Sequence, residues 1–523
     1  MGQLNTPVTH LKLGTRRSLL AWAQSSWVAR ELERLHAARG LKVELVGIDT
    51  RGDKILDIPL SKVEGKEFFV AELDDALRSG RVDFSVHSLK DLSLERPAEF
   101  ELVCMPRRED QRDVIVFSPK ALERLGAGEP LTVGSSSPRR LENLPPFLSR
   151  ALPTLNGRAP QVKFAEIRGN VNTRLGRLHE APGAERYLDG VVLALAGLSR
   201  LWRDDKGRAE LEKLFKGCRW MVMPLRQNPT APGQGSLAVE CRAPKNPHDA
   251  EVKELLLALH DEPTRLQVER ERAVLAKWGG GCHQRFGASC VPVPELGELL
   301  YIRGRLPDGS FIDEAKGPER GAAPAGRAWN GSDWRGEGLE WIFEGKESSL
   351  VGKGCVFIAH ARAVPPSWVP LLSGKRIWTS GAASWFKLAK MGLWVEGCAE
   401  NLGFDNLVPM LQKPVLGLAP LSGWTALTHE AGLGGWEAVK AVATYRVSGE
   451  KREEAAAALR KAGSAYWGSA SQFERYGAAL APEQLKAMKH ACGPGKTAAA
   501  LRAKGLEPQV FLSSEDWKKW TAN

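Results

Sequence analysis

The sequence predicts an α/β protein of several domains, and three observations carry that reading. Strand–turn–helix units repeat from residue 11 to about residue 201. Alternation of this kind points to parallel sheets with crossover helices. The 523-residue length exceeds what one hydrophobic core sustains. Tryptophan usage shifts late in the chain, with 12 of the 17 tryptophans after residue 328, which marks off a separate region.

The elements follow in order. Residues 11–14 read as a strand and lead through Thr15, Arg16, Arg17 and Ser18 into a helix to about residue 38, where Gly40 stops it. Residues 41–48 form the next strand, 69–77 a helix and 82–86 a strand. Strands at 131–134, 162–167 and 190–194 each precede a helix. The stretch APGQGSLAVECR is a glycine-bearing turn entering an apolar strand. Helices at 249–260 and 263–277 end at Gly279-Gly280-Gly281-Cys282. Three antiparallel strands follow at 288–293, 298–306 and 310–314, the last two joined at Pro307-Asp308-Gly309. Residues 317–353 are rich in Gly, Ala, Arg and Glu and read as a linker. Beyond it, residues 355–393 and 465–506 parallel each other, an internal strand–helix duplication. GPGKT is not a phosphate loop, because His490 stands where that motif requires its first glycine.

Composition bounds the function. The net charge of +11 suits an acidic partner, and the absence of a Lys/Arg tail favours a small polyanion over nucleic acid. The eight cysteines have neither disulfide-framework nor zinc spacing, so no metal is expected. No apolar run is long enough to span a membrane, and residues 1–10 lack a signal core, so a cytoplasmic protein is expected.

In α/β folds ligands sit at the carboxyl ends of strands, near free helix N–H groups. Those junctions here carry Arg16 and Ser18; Ser88, Lys90 and Asp91; Ser137, Arg139 and Arg140; Arg168 and Arg174; and Arg200. Each has an ordinary structural explanation taken singly, such as a helix cap or a solvated face. Together they describe a cleft for a ligand with several carboxylates, since guanidinium pairs bidentately with carboxylate. Asp91 is the acidic exception and a candidate for proton transfer or cation stabilisation. Cys282, after three glycines, reads as a helix stop with a small cysteine or as an exposed reactive one.

The stretches TRRSLLAWAQ, DTRGDKILDIPLSKVEGKEFFVAEL, DFSVHSLKDL, VGSSSPRRL, EIRGNVNTRL, LALAGLSRL, APGQGSLAVECR and GGGC occur in the order found in hydroxymethylbilane synthases, also called porphobilinogen deaminases, and residues 11–316 resemble that family. The resemblance implies two periplasmic-binding-protein-like lobes, residues 11–112 with 223–242 and residues 113–222. A small α+β cysteine-bearing domain spans 243–316. It implies head-to-tail condensation of four porphobilinogen molecules with release of ammonia, on a dipyrromethane cofactor joined by a thioether to Cys282. By the same matching, Asp91 is catalytic. Ser88, Lys90, Ser137, Arg139 and Arg140 hold cofactor carboxylates, and Arg16, Ser18, Arg168, Arg174, Arg200 and Phe69 face the substrate. Residues 62–66 match a mobile lid. His283-Gln284-Arg285 departs from the apolar, proline-containing run usual after the family's cysteine.

Within the region 354–523, residues 354 to about 515 resemble uroporphyrinogen-III synthase through TSGAASWFKLAKMGLWVEGCAENLGF, ATYRV and YWGSASQFERYGAAL with GPGKTAAALRAKGLEPQV. This implies a second α/β region that cyclises hydroxymethylbilane to uroporphyrinogen III. The alternatives are a structural or partner-binding C-terminal domain, and a two-lobed carboxylate sensor for the whole; a sensor needs neither Asp91 nor Cys282.

Overall fold

The computed structural model describes residues 8–50, 70–279, 284–323, 326–334, 338–449 and 452–522. Phe69, Cys282, His283 and the lid stretch 62–66 lie outside the described residues. The chain divides into two compact units: Met1–Leu148, Gln161–Cys290 and Leu300–Ala315 form one, and Ser149–Pro160, Val291–Leu299 and Lys316–Asn523 the other.

In the first unit, β1 (His10–Arg16), α1 (Leu19–Leu35), β2 (Lys42–Ile48), α2 (Ala71–Arg78), β3 (Phe84–Ser88) and β4 (Phe100–Cys104) build a first sheet. The chain then crosses into β5 (Asp113–Phe117), α3 (Ala121–Ala127), β6 (Leu131–Gly134), α4 (Pro138–Ala151), β7 (Val162–Ala165), α5 (Val171–Gly176), β8 (Gly190–Ala194), α6 (Leu195–Arg203), α7 (Asp205–Leu214) and β9 (Arg219–Val222). It returns as β10 (Leu237–Arg242). The sheet orders are β2-β1-β3-β10-β4 and β7-β6-β8-β5-β9. The expected parallel sheets are present, with one antiparallel strand in each. β10 runs antiparallel to β3 and β4, and β5 runs antiparallel to β8 and β9. The physical reason is the double crossing, which inserts one strand into each sheet from the opposite direction.

Local sequence explains the elements that position the site. Ser18 caps α1, its Oγ accepting from the Ala21 N–H at 3.3 Å. Ala23, Val28, Ala29 and Leu32 bury one face of α1. Val28, Ala29 and Leu32 pack with Leu11, Leu13, Phe84 and Val239, and each full burial of such an aliphatic side chain is worth about 1.5–3 kcal/mol. Behind β3, Arg96 donates to Asp74 at 2.7 Å and to both Glu240 oxygens at 2.8 and 2.9 Å. His87 Nε2 lies 2.8 Å from Ser85 Oγ and 3.6 Å from Glu240. This buried polar network ties β3 to β10 just before the strand end at Ser88.

After β10 the chain forms α8 (Pro247–Leu257), α9 (Glu262–Lys277) and a three-stranded sheet of β11 (Arg285–Val293), β12 (Gly297–Arg305) and β13 (Phe311–Lys316). Asn246 and Asp261 cap the two helices through their side chains.

The second unit contains β14 (Ala328–Asn330), β15 (Gly338–Trp341), β16 (Cys355–Ile358), β17 (Arg376–Thr379), α10 (Ala382–Lys390), β18 (Val395–Cys398), α11 (Phe404–Leu411), β19 (Trp424–His429) and β20 (Lys440–Ser448). It continues through α12 (Arg452–Arg460), β21 (Ser464–Trp467), α13 (Ala470–Gly477), β22 (Lys489–Cys492), α14 (Lys496–Arg502), β23 (Gln509–Val510) and α15 (Ser514–Ala522). Its sheets run β14-β21-β22-β23 and β15-β20-β19-β16-β17-β18. The expected linker at 317–353 is therefore not all linker. β14 pairs in parallel with β21 and β15 antiparallel with β20. Trp329, 2% exposed, packs 5.2 Å from Trp467, so one buried ring anchors a stretch whose average composition reads as flexible. The duplication is visible as two parallel ladders, β16-β17-β18 and β21-β22-β23. In each a helix is followed by a left-handed glycine, Gly392 at φ 86° and Gly505 at φ 73°. No described helix is long and apolar enough to cross a membrane.

Candidate active site

Lobe one supplies a single 3₁₀ turn, Leu89–Asp91, directly after β3. Leu89 is fully buried, and its N–H donates to the Ser236 carbonyl at 3.1 Å. Gly233, at φ 79°, lies so close that a Cβ there would meet Leu89 at 3.1 Å. Anchoring the apolar residue turns its neighbours outward: Lys90 is half-buried and Asp91 exposed. Ser88 is held by the Gln24 side chain of α1, whose Nε2 donates to Ser88 Oγ at 3.2 Å.

Lobe two supplies the turn between β6 and α4. Ser136 Oγ donates to the Ile167 carbonyl at 2.5 Å and accepts from the Ile167 N–H at 3.0 Å, joining this turn to the segment that carries Arg168. Ser137 follows, half-buried, and Pro138 starts α4. Arg139 and Arg140, in the first turn, are both buried. They converge on Asp113, with Arg139 at 2.8 Å and Arg140 at 2.6 Å from its two oxygens. Asn228 and Gln234, from the return crossing, each donate to the same carboxylate at 2.8 Å. Burial alone would raise the Asp113 carboxyl, but the two guanidiniums hold it far below the usual carboxylate range. One carboxylate facing two guanidiniums leaves an excess positive charge. Arg139 Nε and Arg140 Nε are buried with no hydrogen-bond partner. A ligand with carboxylates fits such a pair, because buried donors require acceptors.

The other cations gather around it. Burial pushes the Arg174 guanidinium down to about 10, with Arg140, Arg168 and Arg177 adding repulsion and Asp91 opposing it. Burial also lowers the Lys90 ammonium, with Asp91 and Asp113 raising it and Arg140 and Arg139 lowering it. Lys90, Asp91, Arg139, Arg140, Arg168 and Arg174 are thus brought into one electrostatic neighbourhood. Arg200 stands apart. It donates to the Gly235 carbonyl at 2.5 Å, and burial takes it down to about 10 with Glu109 and Arg203 as its charged neighbours. Arg16, half-buried, ends β1, and Ser18 is occupied as the α1 cap. Asp113, Asn228, Gln234 and Arg177 are members of the site that sequence reasoning missed. A signal for Asp113 existed: it heads the wholly buried strand DVIVF, where a charge requires partners.

The polar run after the cysteine also finds partners. Arg285 donates to Glu142 of α4 at 2.5 Å and Arg305 of β12 donates to it at 3.1 Å, while Gln284 reaches the Trp278 carbonyl at 3.3 Å. Glu142 lies on the helix that carries Arg139 and Arg140, so Arg285 docks the cysteine-bearing module against that helix.

A family model described as "Porphobilinogen deaminase, dipyromethane cofactor binding domain" matches residues 11–251. The porphobilinogen deaminase of Syntrophotalea carbinolica is 36% identical over 318 residues, 61% of this chain and 88% of that protein. This chain belongs to the porphobilinogen deaminase family. The porphobilinogen deaminase of Synechococcus elongatus is 37% identical over 321 residues, 60% of this chain and 89% of that one. The cofactor of this porphobilinogen deaminase family member is dipyrromethane, which the matched domain binds. Among solved structures, the BvgS VFT2 domain of Bordetella pertussis (a double mutant) has 17% identity, covering 50% of this chain and 93% of that one at a TM-score of 0.23. A mutant uroporphyrinogen III synthase of the extreme thermophile Thermus thermophilus has 17% identity, covering 36% of this chain and 87% of that one at a TM-score of 0.24.

Proposed function

We propose that this chain condenses four porphobilinogen molecules head to tail, releasing ammonia at each step, to give hydroxymethylbilane. The observation that carries the reading is Asp91: an exposed carboxylate on a turn anchored by Leu89, acting on Lys90 and Arg174, which Arg140 also repels. Dipyrromethane, bound through a thioether to Cys282, supplies the nucleophilic pyrrole carbon at which condensation starts. Arg139 and Arg140 bind its carboxylates through the donors that Asp113 leaves over, with Ser88, Lys90 and Ser137 at the edges. Arg168 and Arg174, with Arg16, Ser18, Arg200 and Phe69, take the acetate and propionate of the incoming porphobilinogen. Loss of ammonia makes that substrate ring cationic. Asp91 accepts the pyrrole N–H and stabilises the positive charge as it develops, a role of the kind worth about 10²–10⁴-fold in rate. Family membership and the cationic cleft around one carboxylate both support this reading.

For the C-terminal region we infer a uroporphyrinogen-III synthase that cyclises the same product. The duplicated parallel ladders support it. Fusion also suits the chemistry, because released hydroxymethylbilane closes spontaneously to the other isomer.

A mass spectrum of the purified protein tests the first reading. A dipyrromethane adduct on the peptide containing Cys282 is expected, and an unmodified chain without deaminase activity refutes it.

A further inference from the structure

The six-stranded sheet of the second unit has a reversal in its winding. β16 pairs in parallel with both β17 and β19. From β16 the chain steps outward to β17 and β18, then crosses back to lay β19 on the other side of β16. At such a point the connections leave in opposite directions and open a crevice beyond the strand ends, the usual ligand position in open α/β sheets.

Two imidazoles stand there. His429 is the last residue of β19, and His360 lies two residues beyond Ile358, the end of β16. Their ring centroids are 6.4 Å apart with planes at 61°. The His429 ring lies 5.9 Å from that of Tyr445 on β20. The loop after β19 closes on His429 so tightly that a Cβ at Gly432 would fall 2.7 Å from the imidazole, so only glycine lets the loop lie against this ring. The adjoining strand ends are polar as well. Ser380, after β17, donates to the Ala359 carbonyl at 2.6 Å. Glu400 and Asn401, after β18, hold left-handed backbones at φ 54° and 62°, a strain that persists where surrounding structure fixes it and that clusters at functional sites.

We propose that His360 and His429 form a proton-transfer site acting on the hydroxymethyl end of a linear tetrapyrrole. The proposal rests on the cyclase reading of the C-terminal region. One imidazolium gives its proton to the terminal hydroxyl. The C–O bond breaks with its electron pair on oxygen, water leaves, and the pyrrole nitrogen lone pair fills the vacancy at the methylene carbon. The substituted α-carbon of the last ring attacks that methylene. Its older bond to the bridging methylene then breaks with the electron pair returning to the ring, and the neighbouring pyrrole nitrogen stabilises the freed methylene cation. The unsubstituted α-carbon of the inverted ring attacks that cation, its proton returning to the imidazole. Hydroxymethylbilane yields uroporphyrinogen and water, with no other reagent consumed.

The test uses the full chain supplied with porphobilinogen, reading total tetrapyrrole and the ratio of type III to type I uroporphyrin after oxidation. His360→Gln and His429→Gln, singly and together, are expected to leave total tetrapyrrole unchanged. Enzymic cyclisation should fall about a hundredfold in the double variant, with added imidazole restoring part of the type III product. Wild type making type III with the double variant unchanged overturns the proton-transfer site and leaves the cyclase reading standing. A loss of type III that imidazole does not restore also overturns it. Wild type making only type I overturns the cyclase reading and this proposal with it.

Discussion

Replacing Asp113 by asparagine tests the electrostatic core of the site. The side chain is fully buried and accepts from Arg139, Arg140, Asn228 and Gln234. Asparagine keeps the shape but removes the charge, and turns an N–H₂ donor towards groups that are themselves donors. Removing one partner of a buried pair costs about 3–5 kcal/mol, because a buried charge is left without compensation. Two guanidiniums lose their partner here, which places Asp113→Asn at the upper end. At about 2–4 °C per kcal/mol for domains of this size, the transition of the first unit falls by roughly 10–20 °C. Scanning calorimetry of cofactor-free protein reads it. The sign of the pH dependence follows from the depressed carboxyl. Its stabilisation is complete above the unfolded-chain value of about 3.9 and is lost as pH falls through the lower native value. The gap between wild type and variant is therefore constant near neutrality and narrows only in acid. Cofactor carboxylates supply the missing negative charge, so the loaded variant recovers part of the loss. A shift below about 1 °C at pH 7 in the cofactor-free pair would refute the argument that Asp113 neutralises these arginines.

Asp91→Asn is expected to lower kcat by about 10²–10⁴-fold with KM little changed, measured by steady-state release of ammonia, since the carboxylate acts mainly on charge developed in the transition state. Glu142→Gln removes the negative charge shared by Arg285 and Arg305 and leaves one of its two acceptor oxygens. Both arginines are well exposed, so at most about 1 kcal/mol per pair is lost by thermal melting, and Arg285→Gln loses less than Glu142→Gln. Gly505→Ala meets no atom within 4 Å, so only its φ of 73° opposes the change. Denaturant titration should show a loss of about 1–2 kcal/mol in the second unit.

The strand–helix order of both lobes was legible because it rests on local periodicity and on punctuation such as Gly40. Antiparallel β5 and β10 were not, because strand direction inside a sheet depends on where the chain crosses between lobes, a long-range property. The grouping of Lys90, Asp91, Arg139, Arg140, Arg168 and Arg174 was legible as a set of junction residues, whereas Arg200, drawn from the same pattern, stands apart. The counter-charge of that grouping was missed because Asp113 looks like one charge at the edge of an apolar run until Asn228 and Gln234, more than a hundred residues on, arrive beside it. The linker at 317–353 misled because composition averages over Trp329, whose single buried ring fixes β14. The departure at Gln284-Arg285 made sense only once Glu142 was seen opposite it.

Charge balance links these observations to turnover. Among the described residues, Lys90 and Arg174 share an electrostatic neighbourhood with Arg139, Arg140, Arg168 and Arg177 and with the carboxylates of Asp91 and Asp113, six cations against two anions, a surplus of four. Each pyrrole brings an acetate and a propionate, so on the proposed reading the two rings of the dipyrromethane neutralise that surplus and each added porphobilinogen exceeds it. Attraction between ligand and cleft then weakens as condensation proceeds, since each further carboxylate meets arginines already paired and must remain solvated. The burial that lowers Lys90 and takes Arg174 down to about 10 is costly in an empty cleft and is relieved by the first ligand carboxylates. Binding is thus tightest early, where the chain must be held, and loosest at the end, where the product must leave.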